Sequence, residues 1–229
     1  DDEGIRRAAM APQIPTKTGR EAVLIDCGAT ADCTPEFLLQ FAFMGSYYAE
    51  KVLGIENPRV ALLNIGAEDS KGGELQKDVY PLLKQAGEAG AINFTGNIEA
   101  RDVPLGGADV VVADGFSGNI LLKGIEGTAL FMASMMKDMF KKNVLTKLAA
   151  LLCMDGVKAF KKKMDYRETG GTALIGLSKP VIKAHGSSDA LAIRNAIRQA
   201  IGAVEADVAA TLAANMDHMV IPKEYQHAE

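Results

Sequence analysis

The chain has 229 residues, 48% of them hydrophobic and 24% charged, a balance that gives a globular protein with a large core. A net charge of −4 leaves no electrostatic case for binding DNA or RNA, and the lack of Trp argues against an aromatic stacking surface. Cys27, Cys33 and Cys153 have no metal-ligand spacing, no run of about 18 apolar residues offers a membrane span, and Asp1-Asp2-Glu3 is no signal peptide, so a reduced, intracellular protein is expected.

Ala22–Ile25 reads as a short buried strand. Asp26-Cys27-Gly28-Ala29-Thr30 follows it directly, either as a tight turn or as the first of several ligand-facing turns. Thr34-Pro35-Glu36 then opens a helix, with Thr as cap, Pro at the first helical position and Glu at the positive end of the dipole. Arg59–Ile65 is the next strand. It runs into Asn64-Ile65-Gly66-Ala67-Glu68-Asp69-Ser70-Lys71-Gly72-Gly73, where glycines and a lysine suit an anion as well as a solvated turn. That loop is neither a Walker A loop nor a dinucleotide fingerprint. A helix is expected within 72–87, and strands over 91–95 and 109–113.

Asp114-Gly115-Phe116-Ser117-Gly118-Asn119 follows the last of these strands. Ser117 is expected to cap a long helix from about Gly118 to beyond Met136, and the Asn119 amide stands where it could hold a developing oxyanion; a plain helix cap accounts for the same residues. A late strand, Val181–Ala184, leads into His185-Gly186-Ser187-Ser188-Asp189, where two hydroxyls and backbone N–H groups converge at a helix start. Ser188 is expected to open a last helix with Ile193, Ile197, Ile201, Val204, Val208 and Leu212 on one apolar stripe.

Strands alternating with helices predict an α/β fold, a mostly parallel sheet covered by helices. On such a sheet all four turns should share the rim at the carboxyl ends of the strands and form an anion-binding cleft. No His/Cys/Asp cluster suits a metal, and no Gly-x-Ser-x-Gly elbow is present.

Residues 137–163 differ in kind. They hold eight lysines and two acids, a net +6, which leaves 17 basic and 27 acidic residues elsewhere. Apolar residues alternate with the lysines, and Gly156 is expected to turn 137–164 into a helical hairpin with an apolar tip. Lys141, Lys142, Leu148, Leu151, Leu152, Lys161 and Lys162 suit an anionic membrane face or an acidic protein partner. Packing on the body or on a second subunit is the other use of such a face.

Several strings together resemble one family. They are Gly45-Ser46, the run Tyr48-Ala49-Glu50-Lys51-Val52-Leu53-Gly54-Ile55-Glu56-Asn57-Pro58-Arg59-Val60, then Leu62-Leu63-Asn64-Ile65-Gly66, Asn93-Phe94-Thr95-Gly96-Asn97, Asp114–Asn119 and Lys183–Ser188. In family order and over nearly the whole chain, they are similar to the PlsX family of phosphate acyltransferases. The resemblance implies transfer of a fatty acyl group from acyl carrier protein to inorganic phosphate, giving acyl phosphate for phospholipid synthesis. It also implies a fold like those of isocitrate and isopropylmalate dehydrogenases and phosphotransacetylase, no cofactor or metal, a homodimer, and a cytoplasmic place at the inner face of the cell membrane.

Within that expectation Lys71, Asn119 and His185 are the catalytic candidates. Gly28, Asn64, Gly66, Gly72, Asp114, Gly115, Ser117, Gly118, Gly186, Ser187 and Ser188 are the phosphate-binding candidates. The family also carries an N-terminal part with its own glycine-rich turns, for which this sequence has no match; a single α/β domain lacking that part is expected over 1–229. Two alternatives remain, a non-catalytic scaffold gathering lipid-synthesis enzymes at a membrane, and a dehydrogenase of the related fold, whose acidic metal cluster and nicotinamide site have no motif here.

Overall fold

The computed structural model describes residues 4–163 and 169–220. Eight strands form two sheets rather than one. The larger holds β2 (Gln13–Pro15), β3 (Glu21–Ile25), β6 (Val110–Val112), β4 (Arg59–Asn64) and β5 (Asn93–Glu99), in that order. Its last four strands are parallel, and β2 pairs antiparallel to β3. The smaller sheet is antiparallel throughout: β1 (Ala9–Ala11), β7 (Thr172–Ile175) and β8 (Val181–Lys183).

The expectation of one mostly parallel sheet is therefore corrected. β1, β2 and β7 are only three or four residues long and show no alternation long enough to read. The chain passes from one sheet to the other at Pro12, which has no N–H to give a ladder; its carbonyl accepts from Leu24 N at 3.0 Å.

Alternation along the central strands divides the core. Val23, Ile25, Val60, Leu62, Val110 and Val112 face one side, while Leu24, Ala61 and Val111 face the other. The first side packs on α1 (Pro35–Lys51), which has eleven buried residues among its seventeen and is apolar nearly all round, as a helix between two layers must be. Each fully buried aromatic there, such as Phe41, Phe43 or Tyr48, stabilises the fold by about 1.5–3 kcal/mol. The single buried amide inside it, Gln40, is satisfied by Arg6 N and Gly4 O. Thr34 caps α1 as expected, its Oγ1 accepting from Phe37 N.

Helix α2 (Glu74–Glu88) covers the same face beside β5. α3 (Gly115–Lys141) packs Leu121, Leu122 and Ile125 on the opposite face, then continues well beyond the sheet. α4 (Val144–Leu152) and α5 (Met154–Lys163) follow it. The turn expected at Gly156 lies elsewhere: Gly156 is inside α5, and the helices break at Asn143 and Cys153. Asn143 caps α4 by accepting from Thr146 N at 2.9 Å.

The last helix is also two. α6 (Ala190–Glu205) is capped by Asp189, not Ser188, through a 3.0 Å bond from Ala192 N. Asp207, at φ 44°, turns the chain left-handed and caps α7 (Val208–Ala214). The apolar stripe is split by that turn: Val208 and Leu212 enter the core, whereas Ile193, Ile197, Ile201 and Val204 stay exposed.

Candidate functional site

Three of the four expected turns share one rim. β3, β6 and β4 are parallel neighbours, so the turns after Ile25, Val112 and Asn64 leave the same edge of the sheet. The His185 turn follows β8 in the antiparallel sheet. It belongs to the rim only through what β8 touches.

Asp26 anchors the rim. Its buried carboxylate accepts four backbone N–H groups, from Met10 (2.8 Å), Cys27 (2.7 Å) and Ala29 (3.3 Å) on Oδ1 and from Thr30 (2.8 Å) on Oδ2. Charge-assisted bonds of this kind fix the turn. The first turn of α3 docks against it. A Cβ on Gly115 would lie 2.6 Å from Asp26 Oδ2 and run into the Thr30 carbonyl, and one on Gly118 would run into the Asp26 carbonyl. Both are buried and serve this close approach. Asp114 caps α3, accepting from Ser117 N at 2.8 Å, and the helix begins at Gly115; Ser117 is the third residue of the helix, not its cap.

This docking places Asn119. Its exposed side chain lies over Gly28, whose absent Cβ would sit 3.9 Å from both Asn119 Cβ and Cγ. Gly28 has φ 119°, a conformation that favours glycine. Met10 Cε lies against the same position, 3.2 Å from where a Gly28 Cβ would stand, and the Lys183 ammonium lies 3.8 Å from Met10 Sδ. The end of β8 thus reaches the Asp26 turn through Lys183 and Met10.

The turn after β4 is held by its own side chains. Asn64 is nearly buried; its Oδ1 accepts from Ile65 N at 2.8 Å and its Nδ2 donates to Lys71 O at 3.1 Å. Gly72, at φ 96°, leaves the space that Asn64 occupies, since a Cβ there would lie 2.6 Å from Asn64 Oδ1. The Lys71 stem crosses Gly66, with Cγ 3.0 Å from where a Cβ would stand. Among the described residues, the exposed Lys71 ammonium makes no hydrogen bond or ion pair.

In the fourth turn His185 Nδ1 is 2.7 Å from Ser187 Oγ and accepts from Ser187 N at 3.3 Å. Which of Nδ1 and Ser187 Oγ donates in the shorter contact depends on the tautomer of the ring. Gly186 is exposed and makes room without contact, and Ser188 N closes the turn on His185 O at 3.0 Å. Ser188 Oγ is buried without a partner among the described residues.

Two thiols border the rim and neither is prepared to attack. Burial, then the Asp26 and Glu126 carboxylates, push Cys27 up to about 12, against the lowering effect of Lys123 and Lys183. Burial likewise raises Cys33 to about 11. Both stay thiols near neutral pH.

The sequence reading placed Asp26 and Lys183 in candidate turns without giving either a role, and it gave Asn97 none. Asp26 carried a signal, an acidic residue at a strand end before Cys-Gly-Ala-Thr. Arg101 follows β5 on the same edge and pairs with Glu99 at 2.6 Å. Asn97, inside β5, reaches the Lys71 turn through space, and nothing in its spacing announces that.

The lysine-rich helices lie apart from the rim. Lys141 ends α3, Lys142 caps its end, Leu148, Leu151 and Leu152 stand on α4, and Lys161 and Lys162 end α5; all are exposed, Leu152 at 83%. No described helix is long and apolar enough to cross a membrane.

Solved structures that share this α/β fold include phosphotransacetylases. The EutD phosphotransacetylase from Staphylococcus aureus superposes with a TM-score of 0.50 at 18% identity, over 89% of this chain and 55% of that one. A phosphotransacetylase from Streptococcus pyogenes gives 0.50 at 22%, over 88% and 55%. Sequence then narrows the class: residues 2–211 match the family described as "Fatty acid synthesis protein", and the chain belongs to that family, the PlsX family. Its relatives include proteins named "Phosphate acyltransferase" from Thermoanaerobacterium thermosaccharolyticum, 53% identical over 90% of this chain and 60% of that protein, and from Anoxybacillus flavithermus, 53% over 92% and 63%. The chain spans about three-fifths of the length of these relatives.

Proposed function

We propose that this chain carries the acyl-transfer site of an acyl-acyl carrier protein:phosphate acyltransferase. It would move a fatty acyl group from acyl carrier protein to inorganic phosphate and supply acyl phosphate for phospholipid synthesis. The observation that carries this reading is 53% identity, over nine-tenths of the chain, to a protein named phosphate acyltransferase. The same reading relates the fold to isocitrate and isopropylmalate dehydrogenases.

Phosphate is the nucleophile. One of its oxygens forms a bond to the thioester carbonyl carbon, the carbon–sulfur bond breaks, and the carrier thiolate leaves and takes a proton. The protonated thiols of Cys27 and Cys33 have no part in this. The Lys71 ammonium, without a partner among the described residues, holds phosphate or the forming oxyanion. Asn119, at the positive end of α3, orients the carbonyl. His185 is the candidate proton donor to the leaving thiolate. Gly28, Asn64, Gly66, Gly72, Asp114, Gly115 and Gly118 shape the turns that present these groups, with Ser117, Gly186, Ser187 and Ser188 completing the anion site.

The test is acyl-phosphate formation from acyl carrier thioester and phosphate. Lys71→Ala and Asn119→Ala should each lower the rate about 100-fold in a folded protein; full activity in both variants would remove the site from this rim.

The same proposal gives the exposed lysine-rich helices a surface. Lys141, Lys142, Leu148, Leu151, Leu152, Lys161 and Lys162 meet an anionic membrane face or the acidic carrier, and the protein works as a homodimer at the cytoplasmic side of the membrane. Replacing Leu148 and Leu151 by Glu should release the protein from anionic liposomes in a flotation assay without lowering its melting temperature. Unchanged flotation would assign that surface to contact between protein chains.

A further inference from the structure

Among the described residues nothing holds the Lys71 ammonium at its tip, so its position is set by the backbone that carries it. Two asparagines from two different strands fix that backbone. Asn64, ending β4, donates from Nδ2 to Lys71 O at 3.1 Å. Asn97, within β5, donates from Nδ2 to Glu68 O at 2.8 Å, and the same carbonyl accepts Lys71 N at 3.1 Å. The peptide groups on both sides of the Lys71 Cα are thereby tied to the sheet.

The sheet is bent to allow the second tie. Pairing between β4 and β5 runs Val60 with Phe94 and then Leu62 with Asn97, so Thr95 and Gly96 together oppose Ala61. This is a β-bulge, and Gly96, at φ 97°, adopts a conformation other residues rarely reach. A regular strand would send Asn97 to the other face.

Asn97 also makes a poor bargain as a purely stabilising residue. Its Oδ1 is buried with no hydrogen-bond partner among the described residues. Turning the amide over would set Oδ1 against the Glu68 carbonyl, two acceptors face to face, so the orientation is forced. A buried acceptor left unpaired is a cost, and it is accepted for the bond the nitrogen makes.

We infer that Asn97 is a positioning residue for Lys71: through the Glu68 carbonyl it holds the turn at residues 65–72 so that the Lys71 ammonium meets phosphate. The inference rests on the proposed role of Lys71. Asn97 itself touches no substrate.

The probe is inorganic phosphate, titrated into the 229-residue chain by calorimetry for the wild type, Asn97→Ala, Lys71→Ala and the double variant. Losing one hydrogen bond that positions a charge should weaken phosphate binding roughly fivefold to tenfold in Asn97→Ala. The double variant should bind as Lys71→Ala alone, because an absent ammonium has no position to lose. Amide exchange at Lys71 should quicken in Asn97→Ala, a direct reading of the loosened turn. Asn97→Ser, too short to reach Glu68 O, should behave like Asn97→Ala and serves if that variant does not fold. Wild-type phosphate affinity in a folded Asn97 variant, or a loss that adds in full to that of Lys71→Ala, overturns the inference. Wild-type affinity in Lys71→Ala would instead overturn the reading of Lys71 as the phosphate holder, and the inference with it.

Discussion

Arg59 opens β4 and Lys71 follows its far end, so opposite edges of the five-stranded sheet each present a cation supported by the same strand. Arg59 is engaged. Its backbone N and Nε donate to Asp109 Oδ2 at 2.8 and 3.0 Å, Nη2 to Asp109 Oδ1 at 3.0 Å, and the guanidinium also reaches the carbonyls of Gly106 and Gly107. Lys71 has its backbone tied and its ammonium open. The first arrangement closes the bottom of the sheet; the second leaves a charge for a ligand to complete. A cation with four of its five donors matched is held in the fold, whereas one whose main chain is anchored and whose head is open is the kind proposed above for the site.

The comparison is broken most severely by disturbing what lies between the edges. Gly118→Ala would drive a methyl into the Asp26 carbonyl and force α3 off the β3 turn. A stability loss of about 3 kcal/mol is expected in urea denaturation. A loss under about 1 kcal/mol would mean that the docking of α3 is looser than its geometry.

Exchanging the two cations sharpens the contrast further. Arg59→Ala strands the largely buried Asp109 carboxylate and should cost about 2 kcal/mol, less than a fully buried pair because Arg59 is partly exposed. Lys71→Ala should change stability by no more than about 0.5 kcal/mol while weakening phosphate binding. Similar losses in both variants would erase the distinction between the edges. The pH dependence has a definite sign. Burial raises the Asp109 pKa, but hydrogen bonds from the Arg59 side chain and backbone outweigh it and leave the carboxyl below its ordinary value. Its contribution is present above the unfolded carboxylate pKa of about 3.9 and is lost as pH falls through the folded value. The gap between wild type and Arg59→Ala should therefore narrow on acidification, as urea midpoints at several pH values would show.

Legibility in the sequence followed the range of the interactions. β3, β4 and β6 were readable because Val, Leu and Ile repeat there with short polar ends, and the Asn64 and Asp114 turns because glycines and caps act within a few residues. The start of α3 was misread by three residues, since Ser117 and Asp114 both suit a cap and only the docking against Asp26 selects the earlier one. The six residues read as one apolar stripe on one helix, yet Ile193, Ile197, Ile201 and Val204 are exposed while Val208 and Leu212, past the left-handed turn at Asp207, are buried. Periodicity shows that a face is apolar and is silent about what covers it.

The sequence by itself determined the strand-and-helix alternation, the glycine-rich turns and, through long matching strings, the family, because these are carried by neighbouring residues. Only the tertiary structure decided that β1, β7 and β8 form a second sheet, that the His185 turn reaches the rim through Lys183 and Met10, and that Asn97 holds the Lys71 turn. Those facts depend on pairings across 16 to 173 residues of chain, such as Met10 with Asp26 and with Lys183. Pairings of that range are set by which surfaces pack together, and no local pattern of residues encodes them.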